Sequence, residues 1–251
     1  MAPDAATSRQ PGSTQPGSTQ PGPTQPGSTQ PGALDDLIAM VPQAQRPAFA
    51  KALRGRVADL GAGAGSALDA ESAVAAGALA QRVIEVDRRR LPGATPASQR
   101  ICADLRETLP LRDGHFDLVV CNHVLEHLPE PAALAAEAAR IVRPQGFLIA
   151  AVPHGNAFSD RLFRAYYRAF HRDPATFDGH VQRFTKPAFV GLIEDAGFDV
   201  LGVVDVGEAY AWLHKHPLLQ RTLTRLNGLL RRWHNDAFLY GWLLVAQHRP
   251  R

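Results

Sequence analysis

A chain of 251 residues with 45% hydrophobic and 20% charged side chains can bury one good core, and a net charge of +3 is too small to argue for a nucleic-acid partner. No apolar run reaches bilayer-spanning length, and the first residues have neither the basic start nor the hydrophobic stretch of a secretory signal. The two cysteines, Cys102 and Cys121, sit in apolar runs and read as small core residues of a reducing, cytoplasmic setting, not as a disulfide framework or zinc site.

Residues 1–33 are set apart by a Gln-Pro-Gly-Ser-Thr repeat running from Gln10 to Gly32. Proline blocks regular hydrogen bonding, glycine adds chain entropy, and nothing apolar offsets the cost of ordering, so this is expected to be a disordered tail. The folded domain is expected to span 34–251. It opens on an amphipathic stretch (Leu34, Leu37, Ile38, Met40, Val41, Phe49, Leu53) that predicts short helices covering a sheet.

Strand and helix patterns then alternate. Arg56–Leu60 reads as a strand, Ala67–Ala80 as a helix, Arg82–Val86 and Arg100–Ala103 as strands, and Phe116–Cys121 as the next. Pro131–Val142 is a helix with proline in its first turn, and Gly146–Val152 is a strand after a Pro144-Gln145-Gly146 turn. A helix over Pro187–Ala196 stops at Gly197, and strands over Asp199–Val204 and around Leu239–Gln247 close the pattern. Such alternation predicts an α/β fold with a mostly parallel sheet and helices on both faces.

The residues that leave each strand carry the chemistry, because ligands of open α/β sheets sit beyond the strands' carboxyl ends. After the first strand comes Asp59-Leu60-Gly61-Ala62-Gly63-Ala64-Gly65-Ser66. Alternate glycines permit positive φ and let a ligand approach the backbone, and a following helix offers unpaired N–H groups. The third dinucleotide-fingerprint glycine would stand at Ser66, so the spacing leans away from NAD. After the second strand, Asp87 can accept both hydroxyls of a ribose, with Arg88 following and Glu85 as the rival carboxylate. Strand alternation puts Glu85 and Asp87 on one side, but only Asp87 lies past the apolar run. After the third strand stand Asp104, placed to accept an adenine amino proton, and Leu105. After the fourth comes Asn122-His123-Val124-Leu125-Glu126-His127.

These stations, in this order over about residues 50–205, resemble the class I S-adenosylmethionine-dependent methyltransferases, particularly the ubiquinone-biosynthesis-like small-molecule group. Phe116 to Leu128 is similar to that family's motif ending in Leu-Glu-His, and Arg143-Pro144-Gln145-Gly146-Phe147 to its Lys/Arg-Pro-Gly-Gly turn. The resemblance implies a Rossmann-like seven-stranded sheet whose last strand is antiparallel. It also carries S-adenosylmethionine contacts onto Asp59, Gly61, Gly63, Asp87, Asp104 and Asn122, with Ala62, Gly65, Arg88 and Leu105 adjoining. Two departures stand out: a longer segment between Gly61 and Asp87, and the basic Arg88-Arg89-Arg90 where a second helix is expected.

Methyl transfer is an in-line displacement that depends mainly on positioning, and a base matters only when the acceptor must lose a proton. His127 is the leading candidate for that base, with His123 and Glu126 beside it; the competing reading is that Leu-Glu-His only shapes the pocket. No metal is expected, since His123 and His127 lack a His-Glu-x-x-His pattern and a third ligand. An aromatic and basic insertion at about 156–180 (Phe163, Tyr167 and Phe170 among its apolar residues) reads as a lid over the acceptor or as a surface helix packed on the core. His180 and Arg183 either face the acceptor or hold that loop, with Thr185 as a helix N-cap. The amphipathic, basic stretch 217–233 reads first as packing on its own domain and only second as membrane contact. The expected function is transfer of a methyl group from S-adenosylmethionine to a small molecule or glycoconjugate, at oxygen, nitrogen or carbon. The alternatives are a nicotinamide-dependent oxidoreductase and a non-catalytic S-adenosylmethionine-binding protein.

Overall fold

Apolar runs such as Phe116–Cys121 need cover on both faces, and the structure, a computed structural model, builds the seven strand runs into one sheet. It describes residues 37–63, 82–88, 98–154, 181–208 and 239–250. The expectations for the N-terminal repeat, for the helix over Ala67–Ala80, for Gly65, for the insertion at 156–180 with His180, and for the stretch 217–233 lie outside these residues.

The elements are α1 (Arg46–Ala52), β1 (Arg56–Leu60), β2 (Arg82–Asp87), β3 (Ser98–Cys102), β4 (Phe116–Asn122), a 3-10 turn (Leu125–His127), α2 (Pro131–Ile141), β5 (Val142–Pro153), α3 (Lys186–Asp195), β6 (Phe198–Glu208) and β7 (Leu239–His248). The sheet order is β3-β2-β1-β4-β5-β7-β6. β1 to β5 pair in parallel, while β7 runs antiparallel to both β5 and β6. The order reverses between β1 and β4. That switch point is where a crevice opens at the strands' carboxyl ends.

Two apolar layers hold the sheet. On one face Leu134, Ala138 and Ile141 of α2 and Phe189 and Ile193 of α3 pack onto Ala58, Leu60, Val119 and Leu148. On the other, Phe49 and Ala52 of α1 meet Val57, Leu118, Val120 and Phe147, with the rings of Phe49 and Phe147 edge to face at 5.1 Å. Each fully buried side chain of this size contributes about 1.5–3 kcal/mol. Local signals agree with the ends: α2 begins at Pro131, and α3 is capped by Thr185, whose Oγ1 accepts from the Ala188 N–H at 3.3 Å. Gly197, at φ +98°, stops the chain after α3.

Three sequence expectations are corrected. β3 begins two residues earlier than the apolar run, because its register with β2 starts at Ser98 opposite Val83. β5 begins at Val142, so Pro144-Gln145-Gly146 is an irregularity inside the strand, with Gln145 at φ +60° and the register with β4 shifting between Phe116 and Leu118. Cys102 is exposed, not a core residue: it ends β3, the edge strand, while Cys121 in central β4 is buried.

Candidate functional site

At the carboxyl end of β1 the chain turns sharply, with Gly61 at φ +82° and Gly63 at φ +57°. The Gly61 and Ala62 N–H groups donate to the Val86 carbonyl at 2.7 and 3.4 Å, folding the turn across β2. The two glycines do different things. A Cβ at Gly61 would lie 2.3 Å from Val124 Cγ2, so that glycine lets the loop after β4 close onto the turn; a Cβ at Gly63 would meet nothing within 4 Å among the described residues.

Asp87, the last residue of β2, reaches this turn: its Oδ2 accepts from the Gly63 N–H at 2.9 Å. An ionised carboxylate is an acceptor only, and this one stands at the glycine turn. Its rival is occupied elsewhere. Glu85 is fully buried and ion-paired with Arg100 of β3, whose Nε donates to Oε2 at 2.9 Å and whose Nη2 also donates to that oxygen. The parallel register sets Glu85 directly opposite Arg100 and thereby spends its charge on joining β2 to β3.

Asp59 is buried in β1, on the face that carries Val57, and its register partners are Glu85 and Val120. It lies beneath the turn, inside the sheet. Asp104 lies past β3, and its carboxylate accepts from Arg106 Nε at 2.9 and 3.1 Å and from the Arg106 backbone N–H at 3.0 Å. The Arg106 side-chain hydrogen bond, with the backbone one behind it, holds the Asp104 carboxyl down to about 2. Leu105 is buried beside it. Arg88 is exposed, and its carbonyl accepts a hydrogen bond from Cys102 Sγ at 3.2 Å.

On the other side of the switch point, Asn122 ends β4 opposite Ala151. The next residue, His123, takes φ +54°, a left-handed conformation uncommon for a side chain with a Cβ, while its N–H donates to the Ala151 carbonyl at 3.0 Å. That reversal swings the chain into the 3-10 turn. Glu126 within it is fully buried and lies between two imidazoles: His123 Nδ1 is 3.2 Å from Oε1, and His127 Nε2 is 3.9 Å away. The His123 side chain is 17% exposed and that of His127 43%. The Glu126 carbonyl also accepts from the Val181 and Gln182 N–H groups at 2.8 and 2.9 Å, and Gln182 Nε2 donates to the Pro129 carbonyl at 2.9 Å. Arg183 follows, exposed. Phe184, buried, bridges to His154 at the end of β5, whose ring lies 4.4 Å from that of Trp242.

The structure thus gathers Gly61, Ala62, Gly63 and Asp87 at one side of the switch point and Asn122, His123, Glu126 and His127 at the other, with Val124 joining them. Sequence reasoning missed Val124, Arg100, Arg106 and the docking of 181–182 on Glu126. Only Arg106, two residues after an aspartate, carried a local signal. Among the described residues no three His, Cys, Asp or Glu side chains converge as a metal site, and no helix is long and apolar enough to cross a membrane.

A family model described as a methyltransferase domain matches residues 32–203. The chain is 30% identical over 108 residues to a ubiquinone biosynthesis O-methyltransferase of Thiobacillus denitrificans, covering 41% of this chain and 47% of that protein. It is 30% identical over 142 residues to a probable S-adenosylmethionine-dependent methyltransferase of Mycobacterium tuberculosis, covering 57% and 48%. The chain therefore spans under half the length of either relative. Among solved structures, a putative sarcosine dimethylglycine methyltransferase from Galdieria sulphuraria superposes with a TM-score of 0.55 at 14% identity, over 87% of this chain and 85% of that one. At that identity the likeness is one of fold.

Proposed function

This chain belongs to the methyltransferase-domain family, and we propose on that premise that it moves a methyl group from S-adenosylmethionine to a hydroxyl oxygen of a small molecule or glycoconjugate. The observation that carries the reading is the Asp87 carboxylate at the end of β2 accepting from the Gly63 N–H of the positive-φ glycine turn after β1. A ribose with two adjacent hydroxyls fits such an acceptor, and the glycine turn fits the remainder of an adenosine-type cofactor that lies against main chain. Gly61, Ala62, Gly63, Gly65 and Asp87 would hold that cofactor, with Asp59 supporting the turn from below. Arg88, Asp104, Leu105 and Asn122 would border its base and its reactive end. When bound, S-adenosylmethionine supplies an electrophilic methyl group on a sulfonium.

The chain's own contribution is to hold the acceptor, to exclude water and to receive a proton. His127, His123 and Glu126 form the group available for that proton at the end of β4. Oxygen as the acceptor atom rests on the relatives named as ubiquinone biosynthesis O-methyltransferases. A cytoplasmic setting rests on Cys102 and Cys121 standing as free cysteines, one of them exposed. No nucleic-acid partner, no metal and no membrane contact form part of this reading.

Calorimetry with S-adenosylmethionine, S-adenosylhomocysteine and NAD tests it. The first two are expected to bind and NAD to fail; binding of NAD alone would replace the reading with a nicotinamide oxidoreductase. Labelled methyl transfer into a cell extract then separates an enzyme from a protein that only binds the cofactor.

A further inference from the structure

The two histidines of the Leu-Glu-His region are not equivalent, and the difference assigns them different work. His123 is the more enclosed, its Nδ1 is within hydrogen-bond distance of Glu126 Oε1 at 3.2 Å, and its backbone is fixed by the β4–β5 pairing through the Ala151 carbonyl. His127 is more than twice as exposed, and at 3.9 Å its Nε2 lies beyond hydrogen-bond distance of the same oxygen. Glu126 is itself fully buried. Its backbone carbonyl accepts from the N–H groups of Val181 and Gln182, which fixes the main chain from which the carboxylate reaches His123.

Resting on the methyltransferase reading above, we propose that Glu126 is a positioning residue that holds His123, and not His127, as the proton acceptor of this site. An ionised carboxylate offers only acceptor atoms, so the proton of a neutral His123 ring must sit on Nδ1 and point at Oε1. Nε2 is then the ring's accepting atom. This is the logic by which a buried carboxylate sets the tautomer and orientation of a catalytic imidazole. As the acceptor oxygen forms its bond to the methyl carbon, the carbon–sulfur bond breaks with its electron pair going to sulfur. The hydroxyl proton passes to His123 Nε2, and the imidazolium that results is balanced by the Glu126 carboxylate. Charge is conserved: the sulfonium's positive charge ends on His123 and leaves as a proton to water.

The left-handed backbone of His123 fits this assignment. A residue with a Cβ at φ +54° is held in an uncommon backbone conformation, which persists where the surrounding structure over-determines it. Here the constraints are the Ala151 carbonyl on the backbone N–H and Glu126 on the ring. Their joint effect is to turn the imidazole out of the strand direction at the switch-point crevice.

The test uses the full chain, labelled with 15N-histidine and loaded with S-adenosylhomocysteine. Long-range proton–nitrogen correlation at a pH where the rings are neutral reads the tautomer of each histidine, with His123→Gln and His127→Gln assigning the signals. His123 is expected almost wholly as the Nδ1–H tautomer, and Glu126→Met is expected to abolish that preference while leaving the His127 signal in place. The wild-type tautomer needs no substitution, so a variant that fails to fold does not remove the test. His123 found as the Nε2–H tautomer, or unchanged in Glu126→Met, overturns the proposal. Calorimetry on the same samples keeps the two levels apart: loss of S-adenosylhomocysteine binding by the wild-type chain defeats the methyltransferase reading, whereas binding with the wrong tautomer defeats only the role of Glu126.

Discussion

Replacing Gly61 by alanine puts a single methyl group where two independent costs meet. The residue sits at φ +82°, where a Cβ costs roughly 1–2 kcal/mol. The same Cβ would stand 2.3 Å from Val124 Cγ2, and Val124 is buried against the core, so relieving the clash adds about 1–3 kcal/mol of overpacking. Gly61→Ala should therefore lose about 2–5 kcal/mol, a large part of the ~5–15 kcal/mol that a domain of this kind has. Urea denaturation measures it as a lower midpoint at unchanged m-value. Val124→Ala alone should cost roughly 2 kcal/mol for two buried methyl groups and the space they leave. In the double variant the steric part disappears while the backbone part stays, so the cycle should show a favourable coupling of about 1–3 kcal/mol. A Gly61→Ala protein within about 0.5 kcal/mol of wild type, or a cycle with no coupling, would refute the claim that Val124 closes directly onto the glycine turn.

Asp87→Ala should weaken S-adenosylhomocysteine binding by about 10- to 100-fold in calorimetry, the loss expected for hydrogen bonds to a charged acceptor, with stability little changed. Glu85→Ala should do the reverse, destabilising the fold by about 3–5 kcal/mol because Arg100 is left without its buried partner; equal effects of both on affinity would reopen the choice between the carboxylates. His123→Gln should cut methyl transfer by about 10²–10⁴-fold, the span of general-base catalysis, and His127→Ala by no more than a few-fold, read with labelled cofactor; the opposite ranking would return the base to His127. Because the folded-state pKa of Asp104 lies below its ordinary value, any stability it contributes is complete above that ordinary value and is lost as pH falls through about 2; carboxyl NMR should find its midpoint there, returning upward in Arg106→Ala. With Cys102 exposed and Cys121 buried, its thiol pushed up by desolvation, one thiol of the folded chain should react rapidly with a disulfide reagent and the second only after unfolding.

Periodicity and punctuation located the strands and helices to within a few residues, while the antiparallel last strand came from the family resemblance. Continuous apolar runs such as Phe116–Cys121 can be stable only when covered on both faces, glycines at alternate positions mark a close backbone approach, and Pro131 and Thr185 announce their helices through atoms no more than a few residues away. The placement of Asp87 past the apolar run of β2, as that strand's last residue, was legible for the same reason. All of these are local in the chain, and sequence reports local physics well.

What only the tertiary structure decided are the choices between chemically similar residues. Glu85 and Asp87 both end the same apolar run, but the parallel register sets Arg100 opposite Glu85 and leaves Asp87 to reach Gly63. His123 and His127 flank one buried glutamate, and their inequality comes from the Ala151 carbonyl, a strand away, and from the hold of 181–182 on Glu126. Cys102 looked like core until the strand order put β3 at an edge. In each case the deciding atom belongs to a segment distant in sequence, and a spacing pattern carries no information about which strand will lie alongside. The chain by itself marked Gly61 and Gly63 as a tight turn after β1; register and burial decided that Glu85 pairs with Arg100 inside the sheet while Asp87 accepts from the Gly63 N–H, because pairing across strands depends on which segment the fold lays alongside.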